Sequence, residues 1–150
     1  GVRRGGRPAS RGWPGAGIQV DHAPGMSRML ADLVLLEAGG VHRLFEGIPS
    51  DIPARFHSLR GIGGVLITAE KRGERPDYIL LQATTETVFR LANPWAKAHV
   101  FRSGDSDTPQ VITDSVVTLS MSADDGVIIL LPSENSLDTI ECLPFHLTTN

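Results

Sequence analysis

Leu59-Arg60-Gly61-Ile62-Gly63-Gly64-Val65-Leu66-Ile67-Thr68-Ala69-Glu70 is the stretch that decides the fold. Val65, Ile67 and Ala69 alternate with Leu66, Thr68 and Glu70, the two-residue period of a strand with one buried face. The run Lys71-Arg72-Gly73-Glu74-Arg75-Pro76 then carries turn residues and leads into a second β-rich run at 78–82, so the pair predicts a hairpin. The glycines invite comparison with a dinucleotide loop, but the third glycine of that fingerprint would fall at Leu66. They also precede a strand, where a phosphate loop lies between a strand and a helix. They read instead as a bend, or a close backbone approach, at the start of a strand.

Working outward, short runs at 41–45, 87–91, 100–102, 110–113, 116–121 and 127–131 repeat the β pattern. Between the first of these and the central stretch lies a loop bounded by Ile48-Pro49 and Ile52-Pro53. Asp124-Asp125-Gly126 is the clearest turn signal, because glycine after aspartate accepts the positive φ of a tight hairpin loop. About eight strands at this spacing, with almost no helix among them, predict an antiparallel β-sandwich.

Before the first strand the period is helical. Met29, Leu30, Leu33, Val34, Leu35 and Leu36 recur at helix spacing between a capping Ser27 and the stop Gly39-Gly40, so one short helix is expected over 27–38. A helix apolar around most of its girth needs burial on more than one side. Residues 1–25 hold seven glycines, three prolines and four arginines, and read as a flexible Gly/Arg/Pro-rich arm with Trp13 as its one sizeable apolar group. The domain proper is expected over 26–150.

Charge narrows the partners. The net charge is -3; the four arginines against Asp21 give residues 1–25 a charge of +3 and leave -6 on the remainder. An acidic folded part is not the footprint of a nucleic-acid binder. No apolar run reaches the length of a membrane span. Cys142 is the single cysteine, so no internal disulfide or cysteine zinc cluster is expected, and it reads as a small buried hydrophobe.

Candidate chemistry is sparse. Asp105 and Asp107 alternate in a loop, as calcium ligands do, but the rest of an EF-type loop is missing and a solvated turn is the plainer reading. Asp124 and Asp125 serve the turn. His22, His42, His57, His99 and His146 show no metal-binding spacing, and no Gly-x-Ser-x-Gly elbow is present. No catalytic residue, metal site or cofactor is therefore expected. Trp95, after Asn93-Pro94, has two readings: a ring that stacks on a sugar, or one that packs against a neighbouring strand or domain.

The order of motifs carries a family resemblance. The Met-Leu-rich helix, Gly, Val41-His42-Arg43-Leu44-Phe45, Ile48-Pro49, Phe56-His57-Ser58-Leu59-Arg60-Gly61, Gly64-Val65-Leu66-Ile67-Thr68-Ala69-Glu70 and Arg90-Leu91-Ala92-Asn93-Pro94-Trp95 follow one another in that order. Together they resemble the C-terminal end of glycoside hydrolase family 95, whose members typically read Met-Leu-Leu-Gln-Ser, Leu-Phe-Pro-Ala, Leu-Arg-Ala-x-Gly-Gly-Phe and Arg-Leu-x-Asn-Pro-Trp in turn. Glu46 stands where the family usually has proline, Leu35-Leu36-Glu37 replaces the Gln-Ser segment, and Val65 replaces an aromatic.

The resemblance covers the helix through the strand after Trp95, and only the β pattern continues beyond it. It implies a β-sandwich that follows an (α/α)6 barrel, with the carboxylates that hydrolyse α-fucosides or related sugars in the barrel and none in this chain. It also supplies a partner for the helix carrying Met29 and Leu36, namely the catalytic barrel or another protein surface. The alternative is a free-standing carbohydrate-binding module using Trp95.

Overall fold

A computed structural model describes residues 17–21, 28–102 and 108–135. The elements, in chain order, are β1 (Ile18–Asp21), α1 (Arg28–Val34), β2 (Leu35–Ala38), β3 (Val41–Leu44), β4 (Ala54–Arg60), β5 (Val65–Lys71), β6 (Pro76–Ala83), β7 (Thr87–Ala92), β8 (Ala98–Phe101), β9 (Gln110–Ile112), β10 (Val116–Met121) and β11 (Val127–Pro132). A 3-10 turn, Ala123–Asp125, joins the last two strands. The strands form a seven-stranded sheet, β1-β4-β5-β6-β11-β8-β9, and a four-stranded sheet, β10-β7-β3-β2. The fold is the expected β-sandwich. Pairing is antiparallel except for β1 with β4 and a single parallel pair, His42 with Leu91, between β3 and β7.

The predicted hairpin is β5–β6, in register from Val65↔Ala83 to Glu70↔Tyr78. The inward residues of both sheets, among them Phe56, Val65, Ile67, Ile79, Leu81, Phe89, Leu91, Leu119, Ile128 and Leu130, form one buried core. A second buried cluster, Tyr78, Leu80, Phe101, Ile129 and Leu131, lies on the other face of β6, β8 and β11. Strands buried on both faces lose the alternation of a half-exposed strand, which is why β11 reads Val-Ile-Ile-Leu-Leu-Pro.

Three expectations are corrected. The predicted helix over 27–38 ends at Val34, and Leu35–Ala38 is a strand paired antiparallel with β3 from Leu35↔Leu44 to Ala38↔Val41. Gly39 and Gly40 both have positive φ, 61° and 83°. They form the two-residue turn of a hairpin, where a helix stop was expected. The end of α1 is satisfied from outside: the Phe45 amide donates to the Val34 carbonyl at 2.8 Å and the Gly47 amide to that of Leu33 at 3.2 Å.

Part of the expected arm is ordered into the fold. Ile18–Asp21 runs parallel to β4, from Ile18↔Ala54 to Asp21↔His57. Val20 is buried there. The rest of 1–25, with Trp13 and His22, lies outside the described residues, as do Asp105, Asp107, Cys142 and His146.

Asp124-Asp125-Gly126 turns the chain, but not into a hairpin. β10 belongs to the four-stranded sheet and β11 to the seven-stranded one, so the turn carries the chain across the sandwich. The Asp125 carboxylate accepts the Ser122 amide at 2.8 Å and lies 3.5 Å from the Arg102 guanidinium.

Candidate functional site

Trp95 is the one side chain for which the sequence predicts ligand contact. The loop after β7 is tied down locally: the Asn93 side-chain oxygen accepts the Trp95 amide at 3.0 Å, and its Nδ2 donates to the Asp114 carbonyl at 3.0 Å. This turn directs the indole inward, where it is 8% exposed and belongs to the core. Its Nε1–H donates to the Pro76 carbonyl at 2.9 Å. Asn-Pro-Trp is thus a staple joining the β7–β8 loop to the start of β6 and to the β9–β10 connection. Buried in this way, the ring packs as the second of its two readings describes.

Gly61-Ile62-Gly63-Gly64 is the turn between β4 and β5, with the Gly61 amide donating to the Val65 carbonyl at 2.7 Å. It approaches the other sheet at His42. A Cβ on Gly61 would stand 2.8 Å from His42 Nε2, closer than side-chain atoms are found, so glycine is required by space. His42 is 2% exposed, stacked on Phe89 with ring centroids 4.5 Å apart.

Two further buried charges escaped the sequence reading. Glu70 accepts the Tyr78 hydroxyl at 3.0 Å and pairs with Arg72 Nε at 3.2 Å, with Arg55 its cross-strand neighbour on β4. Lys71 Nζ donates to the carbonyls of Pro49 at 2.8 Å, Gly73 at 3.4 Å and Ser50 at 3.5 Å, pinning the loop before β4 to the end of β5. Burial lowers the pKa of the Lys71 ammonium, against the opposing pull of Asp51 and Glu74. Burial, then the Glu70 charge, raises those of the Asp77 carboxyl and the Tyr78 phenol. A glutamate and a lysine inside a run of apolar strand residues carry no spacing signal of their own, so only the fold brings out their roles.

Among the described residues no three His, Cys, Asp or Glu side chains converge as a metal site would require. His42, His57 and His99 fall on β3, β4 and β8, and the His99 ring is edge-on to Phe101 with centroids 6.2 Å apart. No described helix is long and apolar enough to cross a membrane.

The large apolar side chains exposed among the described residues are Leu30, Leu36, Ile62, Val88 and Val111, and the first two fall on the consecutive elements α1 and β2. Leu30 on α1 is 46% exposed and Leu36 on β2 is 40% exposed, with Leu33 and Leu35 half-buried against the core between them. β2 is also an edge strand of its sheet. The predicted docking helix is therefore a helix followed by a strand, still carrying apolar side chains outward. The side chain of Met29 lies outside the described residues. No protein-family model and no curated protein matches the chain.

Proposed function

We propose that the chain is a non-catalytic accessory β-sandwich of a glycoside hydrolase-like protein, which buttresses a catalytic (α/α)6 barrel that is not part of this chain. The observation that carries this reading is the pair of exposed leucines, Leu30 and Leu36, on consecutive elements beside an open strand edge. Exposed leucines on consecutive elements beside an unpaired strand edge suit a surface that a partner covers. The resemblance to the C-terminal region of glycoside hydrolase family 95 supplies the covering element, since there the corresponding helix is the last helix of the barrel and packs on other barrel helices. The buried indole of Trp95 favours this reading over a free-standing carbohydrate-binding module, which stacks sugars on an exposed aromatic face.

On this reading the hydrolytic carboxylates belong to the barrel, and the sandwich supplies rigidity and a docking corner. The coding sequence directly upstream of Gly1 tests it. Read in frame, that sequence is expected to encode paired helices of a barrel; an upstream frame without helical pairs would sink the proposal.

A further inference from the structure

His42 connects the two sheets through its imidazole. Nδ1 lies 2.9 Å from the Arg90 carbonyl oxygen on β7, in its own sheet. Nε2 lies 3.0 Å from the Ile62 amide nitrogen, in the β4–β5 turn of the other sheet. A carbonyl only accepts and an amide N–H only donates, so Nδ1 carries the proton and Nε2 is the acceptor. The arrangement admits one tautomer and one charge state, the neutral ring.

Among the described residues, the groups packed against the ring offer an added proton no partner. On β7 the ring stacks on Phe89, with Leu91 the cross-strand neighbour of His42 and Arg90 contributing only its carbonyl, its side chain exposed. From the turn it meets Gly61 and Ile62, beside the exposed Arg60, and Ile67 on β5 lies against the same glycine. On β2 its cross-strand neighbour is Glu37, an exposed side chain whose Oε2 accepts the Gly40 amide at 2.8 Å. Both hydrogen-bond partners of the ring are backbone groups.

We propose that His42 is an acid-sensitive latch between the sheets, holding the Gly61–Gly64 turn closed while neutral and releasing it when protonated. Adding a proton at Nε2 sets a donor against the Ile62 donor, so the bond must break. The turn has a separate anchor: the Gly64 carbonyl accepts both the amide and the hydroxyl of Thr84, at 3.0 and 2.6 Å. Release is therefore local, freeing Ile62 and the His42 side of the turn while Gly64 stays in place.

The test is an NMR titration of the full chain from neutral pH downward until the fold is lost. It follows the two imidazole nitrogens together with amide exchange at Ile62 and Thr84. Expected at neutral pH is a proton on Nδ1 alone. On acidification, ring protonation and a loss of Ile62 protection of about tenfold or more should occur together, after correction for intrinsic exchange, while Thr84 keeps its protection. In His42→Asn the Ile62 protection should not change with pH; if that variant does not fold, the wild-type titration alone decides. A ring that protonates with Ile62 still protected, a ring that carries its neutral proton on Nε2, or one that stays neutral until Ile62 and Thr84 open together would each overturn the latch.

Discussion

The indole N–H of Trp95 donates to the carbonyl of Pro76 at 2.9 Å inside the core, tying the loop after β7 to the first residue of β6. Removing the donor while keeping a ring separates the hydrogen bond from the packing. Trp95→Phe is expected to lower the unfolding free energy by about 1–3 kcal/mol, because the buried Pro76 carbonyl loses its partner. Trp95→Ala is expected to cost about 3–5 kcal/mol, since a cavity is added. Denaturant midpoints check both, and an unchanged midpoint in Trp95→Ala would contradict the packing role.

Tyr78 is the only tyrosine in the chain, so its ionisation is read directly from phenolate absorbance. Burial and the hydrogen-bonded Glu70 carboxylate hold its pKa above the ordinary value of 10.0. The folded state therefore keeps the proton longer than the unfolded state does. The stability this group contributes is intact below about pH 10 and is lost as the pH rises beyond it. Lys71, shifted downward by burial, works in the opposite sense over the alkaline range, so the effect of Tyr78 is isolated by comparison with Tyr78→Phe. Native protein at pH 10 is expected to show almost no phenolate, against roughly half ionisation in denaturant; equal absorbance in the two states would rule out the buried pair.

Asp77 tests the same cluster from the acid side. Its carboxyl is pushed up by burial and by the Glu70 charge, so the folded state binds the proton more tightly than the unfolded chain. Its contribution is favourable below the unfolded value and is lost as the pH rises through the folded one. Asp77→Asn is therefore expected to raise the melting temperature at neutral pH, with the gain vanishing near pH 3 where the unfolded carboxyl is itself protonated. Thermal melts across that range check the sign, and a destabilised variant at neutral pH would contradict it.

Gly39 and Gly40 bear on the correction of the helix. Alanine at Gly40, where φ is 83°, is expected to cost about 1–2 kcal/mol through strain alone, because nothing lies within 4 Å of the position a Cβ would take. Asparagine at Gly39 is expected to be tolerated, since it adopts left-handed backbone readily in such turns. Were 27–38 one helix with a glycine stop, alanine at Gly40 would instead be close to neutral. Urea titration of the two variants distinguishes the cases.

What was legible depended on how far each strand kept a clean period. Val65, Ile67 and Ala69 announce β5, and Val117, Leu119 and Met121 announce β10, because these alternate residues all join the core and the turns beside the strands are marked. β4 was hidden by its own irregularity. Ala54 and Phe56 are two residues apart, but Ser58, with a φ of 56°, shifts the phase so that Leu59 follows three residues after Phe56. β2 was misread because Leu35 and Leu36 continue the helical spacing begun at Met29, and only pairing with β3 decides between the two conformations. β1 sits in a glycine-rich stretch where just Ile18 and Val20 alternate. At the candidate sites Trp95 was legible as a loop aromatic, but its inward direction is set by Asn93 and Pro76. The link from His42 to Ile62 joins residues whose meeting only the sandwich creates, whereas Glu70 and Tyr78 meet across the β5–β6 hairpin.

The docking corner at Leu30 and Leu36 is the centre of this account. Its most direct test is the association of this chain with the separately produced polypeptide encoded directly upstream of Gly1, measured by sedimentation for wild type and for the Leu30→Glu, Leu36→Glu double variant. Charges on exposed positions leave the sandwich folded, which far-ultraviolet circular dichroism verifies, but they cannot be buried against an apolar partner without a large penalty. The prediction is a wild-type complex weakened at least about tenfold in the folded double variant. No complex with the wild type, or equal association by both proteins, would contradict the docking role.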